Sequence, residues 1–162
     1  MPNPELDLVL RSIDQAFDAP SWHGTNLRGS VRRLGPEEAA FRPGAGRHNI
    51  WELVVHCAYW KYAVRRRLTG EKRGSFPLAG SNFFRRPGPD ASQAAWKLDL
   101  ALLDETHEAM RAVARELSAK QLRSRPRGSR VSALDTLLGI AAHDLYHAGQ
   151  IQLLKRIARQ GR

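Results

Sequence analysis

Between Val131 and Leu154 only Asp135 and Asp144 are charged, and the apolar side chains recur at helical spacing. A helix that is apolar almost all round has to be covered on most sides. Ser132, with Asp135 three residues later, is read as its cap, and the pattern predicts a helix running to about Arg159. One face holds Leu134, Leu137, Leu138, Ala141, Leu145 and Ala148. Nearly opposite lie Ile140, Ile151 and Leu154, on the face that also carries His143 and His147. This surplus of apolar surface calls for packing against other helices and against a second copy of the chain, so a homodimer is expected.

Three further helical patterns precede it. The first starts at Asn3 as cap with Pro4 in the first helical position, and buries Leu6, Val9, Leu10, Ile13 and Phe17 before Pro20. Residues 20 to 48 form a Gly-, Pro- and Arg-rich connection, with one short helical turn expected over Gly35 to Phe41. The second pattern is capped by Asn49 with Glu52 three residues on, and runs to about Leu68 before Gly70. Its stripe is Ile50, Leu53, Cys57, Trp60, Val64 and Leu68, with His56 about 100° to one side. A second long connection, residues 70 to 89, carries Phe76, Phe83 and Phe84 and is long enough to suggest a part in a pocket. The third pattern is read from Asp90, paired with Gln93, to about Ala119, through Ala94, Trp96, Leu98, Leu102, Leu103, Met110, Val113 and Leu117. Residues 123 to 130 then form a basic connector. Nothing alternates with the period of a strand, so the fold class is all-α, and 162 residues suit one domain spanning 1–162.

Composition excludes several classes. A single cysteine, Cys57, rules out an internal disulfide and a Cys-rich zinc module. The acidic start, Met1 to Asp7, lacks the pattern of a signal peptide, and no apolar run reaches the length of a membrane span, so a cytoplasmic protein is expected. The net charge of +10 favours anionic ligands. Without a helix-turn-helix, zinc-finger or aromatic-plus-basic signature, nucleic acid is not the expected partner.

The chemistry concentrates in histidine. His143 and His147, four apart, stack on one helix face and can share one ion. Two adjacent imidazoles among Ile140, Ile151 and Leu154 are costly unless something common satisfies them. His56, at the edge of another core-facing stripe, completes a three-nitrogen set across a helical interior. A lone histidine on a helix flank is more often a satisfied core or surface residue, and His107 is read that way. His23 and His48 are kept as distant candidates for the rim. Cys57 is read as core, and Trp51, Trp60 and Trp96 as packing.

Asn49 to Trp60, Ala142 to Ile151 with its His-Ala-Gly-Gln ending, Gly35 to Ala39 and Arg42-Pro43 together resemble the DinB-like (DinB/YfiT) superfamily of metal-dependent enzymes over nearly the whole chain. The resemblance implies a four-helix bundle with a long crossover between its second and third helices, usually dimeric. It implies a metal held by His56, His143 and His147. It also implies chemistry that in some members transfers or isomerises small molecules with a low-molecular-weight thiol. Asp144 stands where many relatives have Glu; about 100° round the helix from His143, it is assigned a supporting or salt-bridging place, and Gln150 is expected to orient the neighbouring ligand or a bound water.

Three imidazoles leave coordination positions open, as catalytic sites do, and suit zinc, nickel, iron or manganese. The expected function is a metal-dependent transferase or hydrolase for a small-molecule substrate. Two rivals stand beside it. One is a zincin-like peptidase, since His143-Asp144-Leu145-Tyr146-His147 imitates His-Glu-x-x-His. The other is a non-catalytic metal-binding or stress-response interaction protein.

Overall fold

A computed structural model describes residues 3–160. Among them are seven helices and no strand, so the protein is all-α: α1 (Pro4–Phe17), α2 (Leu27–Ser30), α3 (Pro36–Ala40), α4 (Ile50–Thr69), α5 (Gln93–Arg115), α6 (Ala119–Arg123) and α7 (Ala133–Gln160). No helix among the described residues is long and apolar enough to cross a membrane.

The helix starts follow from short polar side chains satisfying the free amides of the first turn. Asn3 Oδ1 accepts from the Leu6 amide, Asn49 Oδ1 from Glu52, and Ser132 Oγ from Asp135, whose carboxylate returns the bond to the Ser132 amide. Gly70, at φ 78°, closes α4 in the left-handed conformation that a side chain would oppose. The start of α5 differs from the sequence expectation. Ser92 caps it through the Ala95 amide, and Asp90 lies outside, accepting from the Ser92 amide at 2.8 Å. Its end differs too: the chain leaves the helix after Arg115, and Ser118 with Gln121 opens the separate α6, which drives Leu122 into the core. The connection before α4 holds two short helices rather than one, because Asn26 caps α2 through the Gly29 amide.

Helix α4 is the central element. Every residue from Ile50 to Ala58 is buried, so its true contact surface is far wider than a single stripe. It packs along α5 and α7, while α1 lies across α7 and α5. One core cluster joins the first half of α4 to Leu27, Leu34, Trp96, Leu103 and Ile151; the other joins Val64 to α1, Met110, Leu137 and Ile140. The buried indoles are satisfied, Trp51 donating to Asp99 Oδ2 at 2.7 Å and Trp96 to the Leu34 carbonyl at 2.9 Å. Leu98 and Leu138, read as apolar-face residues, are exposed.

Two polar contacts position the later site. Asn49, fully buried, donates to the Arg86 carbonyl at 2.7 Å, fastening the loop between α4 and α5 to the head of α4. Deeper in, Lys61 of α4 pairs with Asp144 of α7, both shut away from solvent, with the ammonium 5.0 Å from the Phe17 ring centroid. Burial pushes the Asp144 carboxyl up and Lys61 pulls it down. Removing one member of such a pair strands the other in a low-dielectric interior. Lys61→Met is therefore expected to lower unfolding free energy by about 3–5 kcal/mol, read by urea denaturation. Lys61→Met/Asp144→Leu is expected to recover most of that loss.

Candidate metal centre

Helix α4 carries His56 and helix α7 carries His143 and His147 one turn apart, so the packing of α4 on α7 determines whether the three rings meet. They do. His143 Nε2 lies 3.0 Å from His56 Nε2 and 3.1 Å from His147 Nε2. Nitrogens bound at about 2.0–2.1 Å to one ion stand roughly 2.9 to 3.4 Å apart, depending on the coordination angle. The observed spacings fit one ion.

The outer nitrogens of two of these rings reveal their tautomers. His56 Nδ1 is 2.9 Å from the Asn82 carbonyl, which only accepts, so Nδ1 carries the hydrogen and Nε2 presents a bare lone pair. His147 Nδ1 is 2.6 Å from Gln150 Oε1, with the same consequence. Two lone pairs thus face His143 Nε2, which has at most one hydrogen to offer. A shared cation relieves that conflict, and these outer partners are the kind that orient metal-binding histidines.

All three rings are held neutral. Burial, then the neighbouring His147 and His56 and then Lys61, lower His143 to about 3. Burial and His56 lower His147 to about 4 against the opposing Gln150 bond. Burial lowers His56 as well, with the Asn82 bond opposing it and His48 adding to it. Neutral imidazole is the form that binds a metal.

A second group of donors, Cys57, His143 and Asp144, is equally compact, each offering an atom within 4.8 Å of the others. Its chemistry is different. Burial raises the Cys57 thiol well above its usual value, keeping it protonated, and Asp144 is taken by Lys61. Cys57 belongs to the core as expected, and Asp144 is a salt-bridging residue. A carboxylate buried against Lys61 is not placed as the general base that a zincin-like reading requires.

The three Nε2 atoms open onto a cavity of about 820 Å³ lined by Leu53, Phe83, Tyr146, Leu154 and Ile157, with Arg47 and His48 also on its wall. Phe83 stacks on His56 with centroids 4.0 Å apart. Its neighbour Phe84 is buried in the core, so the two phenylalanines separate into pocket and packing. His48, kept as a rim candidate, does line the cavity. His23 does not: it is exposed and hydrogen-bonded to Ser21. His107 is buried and stacked on Phe17 at 3.6 Å, a packing residue. Asn82 was missed from sequence. It adopts φ 68°, turning its carbonyl to His56 while Oδ1 accepts from Trp60 Nε1 at 3.0 Å. An Asn beside an aromatic pair in a Gly-rich loop hints at a turn but not at its target.

The DinB superfamily matches residues 21–151, and the chain belongs to that family. No curated protein and no solved structure matches it.

The depressed histidines set a pH dependence. The unfolded chain takes up protons near the ordinary value of 6.5, while folded His143 and His147 refuse them until about 3 and 4. The unfolded state then binds more protons, so stability present above 6.5 is lost as pH falls toward 4. The thermal midpoint of metal-free protein is expected to drop steadily from about pH 7 to pH 5. A flat profile there contradicts neutral, buried imidazoles.

Proposed function

We propose that this protein is a metal-dependent enzyme, a transferase or hydrolase acting on a small molecule, with the cation held by His56, His143 and His147. The observation that carries the reading is the meeting of three Nε2 atoms at 3.0 and 3.1 Å, two of them bare because Asn82 and Gln150 take the hydrogens on the other side. Zinc, nickel, iron or manganese all suit such a set. A bound divalent cation supplies a Lewis acid for an electrophile and makes a protic group a better nucleophile.

The chain supplies the rest. Asn82 and Gln150 keep two rings aimed, and the Leu53, Phe83, Leu154 and Ile157 walls exclude water and favour the apolar part of a substrate. The open cavity beside the nitrogens favours catalysis over storage, since a purely structural ion is enclosed by its ligands. A low-molecular-weight thiol as co-substrate belongs to the reading, supported by family membership and by the basic Arg47 at the mouth.

The four long helices α1, α4, α5 and α7 support a four-helix bundle with α2 and α3 in the connection before α4 and a long crossover before α5. A homodimer through α7 is part of the proposal, supported by Leu138, Tyr146 and Leu153 left exposed along it. So are a single domain and a cytoplasmic location, the latter supported by the one free, buried cysteine.

Elemental analysis of purified protein tests the reading directly. About one divalent ion per chain is expected, lost on His56→Ala, His143→Ala or His147→Ala singly. Full occupancy in the triple alanine variant rejects the site. Turnover of electrophiles with added thiol distinguishes the enzyme from a storage protein, which shows none.

A further inference from the structure

Beside the three imidazoles, at the head of α4, lies a second polar assembly that metal binding does not use. Glu52, in the first turn of α4, has its carboxylate almost wholly buried and receives four hydrogen bonds. Arg42 contributes two, at 2.5 Å to Oε1 and 3.1 Å to Oε2, and the Arg86 amide adds one at 3.4 Å. The fourth comes from His48 Nδ1, at 2.8 Å from Oε2. Burial alone raises the Glu52 carboxyl, yet the bonds from Arg42, His48 and Arg86, with the Arg42 charge, hold it below its usual range. Glu52 therefore stays ionised and acts as acceptor, and His48 must place its hydrogen on Nδ1.

That leaves Nε2 of His48 as the nitrogen not engaged by protein. The ring is fixed by a second contact. Phe83 stacks on it with centroids 3.7 Å apart and planes 6° from parallel, and the same Phe83 stacks on His56 at 4.0 Å and 9°. Two rings at those spacings cannot share one face, so His48, Phe83 and His56 form a three-layer stack with the phenyl ring in the middle. His48 thus stands one ring's thickness from a metal-ligating histidine, on the wall of the same cavity, without touching it. The charged and titratable groups around it are Glu52 with Arg42 behind, Arg47 next in the chain, and His56 and His147 beyond Phe83.

A carboxylate bonded to one nitrogen of an imidazole that lines a cavity, with the other nitrogen left without a protein partner, is the arrangement of a general base held in one tautomer. We propose that His48 is a catalytic proton acceptor of this site, and that Glu52 is its positioning residue. The ligands it serves are neutral protic molecules, an O–H or S–H acid with an apolar body that suits the cavity wall. On entry the ligand's O–H or S–H bond breaks, the electron pair stays on oxygen or sulfur facing the three imidazoles, and the proton passes through one water, which bridges the gap that the Phe83 ring leaves, to form an N–H bond at His48 Nε2. Arg42 keeps Glu52 from taking that proton itself. The inference rests on the three-histidine metal reading and extends it to the group that receives the proton.

The test uses full-length protein loaded with Co²⁺ and benzohydroxamic acid as probe, an apolar O–H acid that coordinates metals as its anion. Calorimetric titration in buffers of different ionisation enthalpy counts the protons released to solvent, and the cobalt absorption spectrum reports metal and probe binding separately. Wild type is expected to release close to none, because the proton stays on His48. His48→Gln and His48→Asn are expected to release about one more per site with unchanged cobalt content. Glu52→Gln is expected to move the count in the same direction, which a merely structural role for Glu52 does not do. Equal proton counts in wild type and both His48 variants, with cobalt and probe bound in all, overturn the His48 assignment and leave the metal reading standing. Cobalt bound without any spectral response to the probe also overturns it. Failure of wild type to take up cobalt overturns the metal reading and this inference with it.

Discussion

Three imidazole nitrogens pressed to 3.0 and 3.1 Å of one another, two of them stripped of hydrogen by partners on the far side, form the constraint around which the rest of the molecule is arranged. Left to themselves such groups repel or go unsatisfied in an interior where neither cost is small. Two helices must hold them there against that cost. Helix α4 does so by being buried along its first nine residues, and α7 by packing against both α1 and α4. The buried Lys61–Asp144 pair, next in the chain to His143, links the same two helices, so the register of α4 on α7 is specified by charge as well as by shape.

The loop between α4 and α5 completes the arrangement from above. It is fastened by Asn49 to the Arg86 carbonyl and by Trp60 to Asn82, and these bonds bring the Asn82 carbonyl and the Phe83 ring onto His56. One segment therefore both orients His56 and lines the cavity. Glu52 contributes twice, once as the residue whose amide is capped by Asn49, and once as the carboxylate gathering Arg42, His48 and the Arg86 amide. The head of α4 is consequently a structural joint and a chemical wall at the same time.

Much of this was legible in the residues. Helix starts at Pro4, Ile50 and Ala133 agree with the caps read from Asn3, Asn49 and Ser132, because a cap is a local bond between a side chain and an amide three residues away. The third helix was misplaced by a few residues because Asp90 and Ser92 both have capping side chains, and only the built turn shows Asp90 bonding to the Ser92 amide instead. Leu98 stands among the apolar positions of its helix yet is exposed, because apolar spacing alone cannot tell which side of a helix has a neighbour. His48 was visible as a histidine near the site, but its partner Glu52 was read only as a capping residue.

Taken alone, the sequence determined the helical class, the caps, and the pairing of His143 with His147, since each depends on contacts a few residues apart along one helix. It also marked His56, through its place beside an apolar stripe. Helix packing was needed to bring His56 to the other two, to set its tautomer through Asn82, to give Asp144 to Lys61, and to turn Phe83 rather than Phe84 to the cavity. The reason is physical. These relations join residues 20 to 90 positions apart, and the hydrogen bonds and stacking that select them exist only after α4 and α7 have packed and the intervening loop has been tied down.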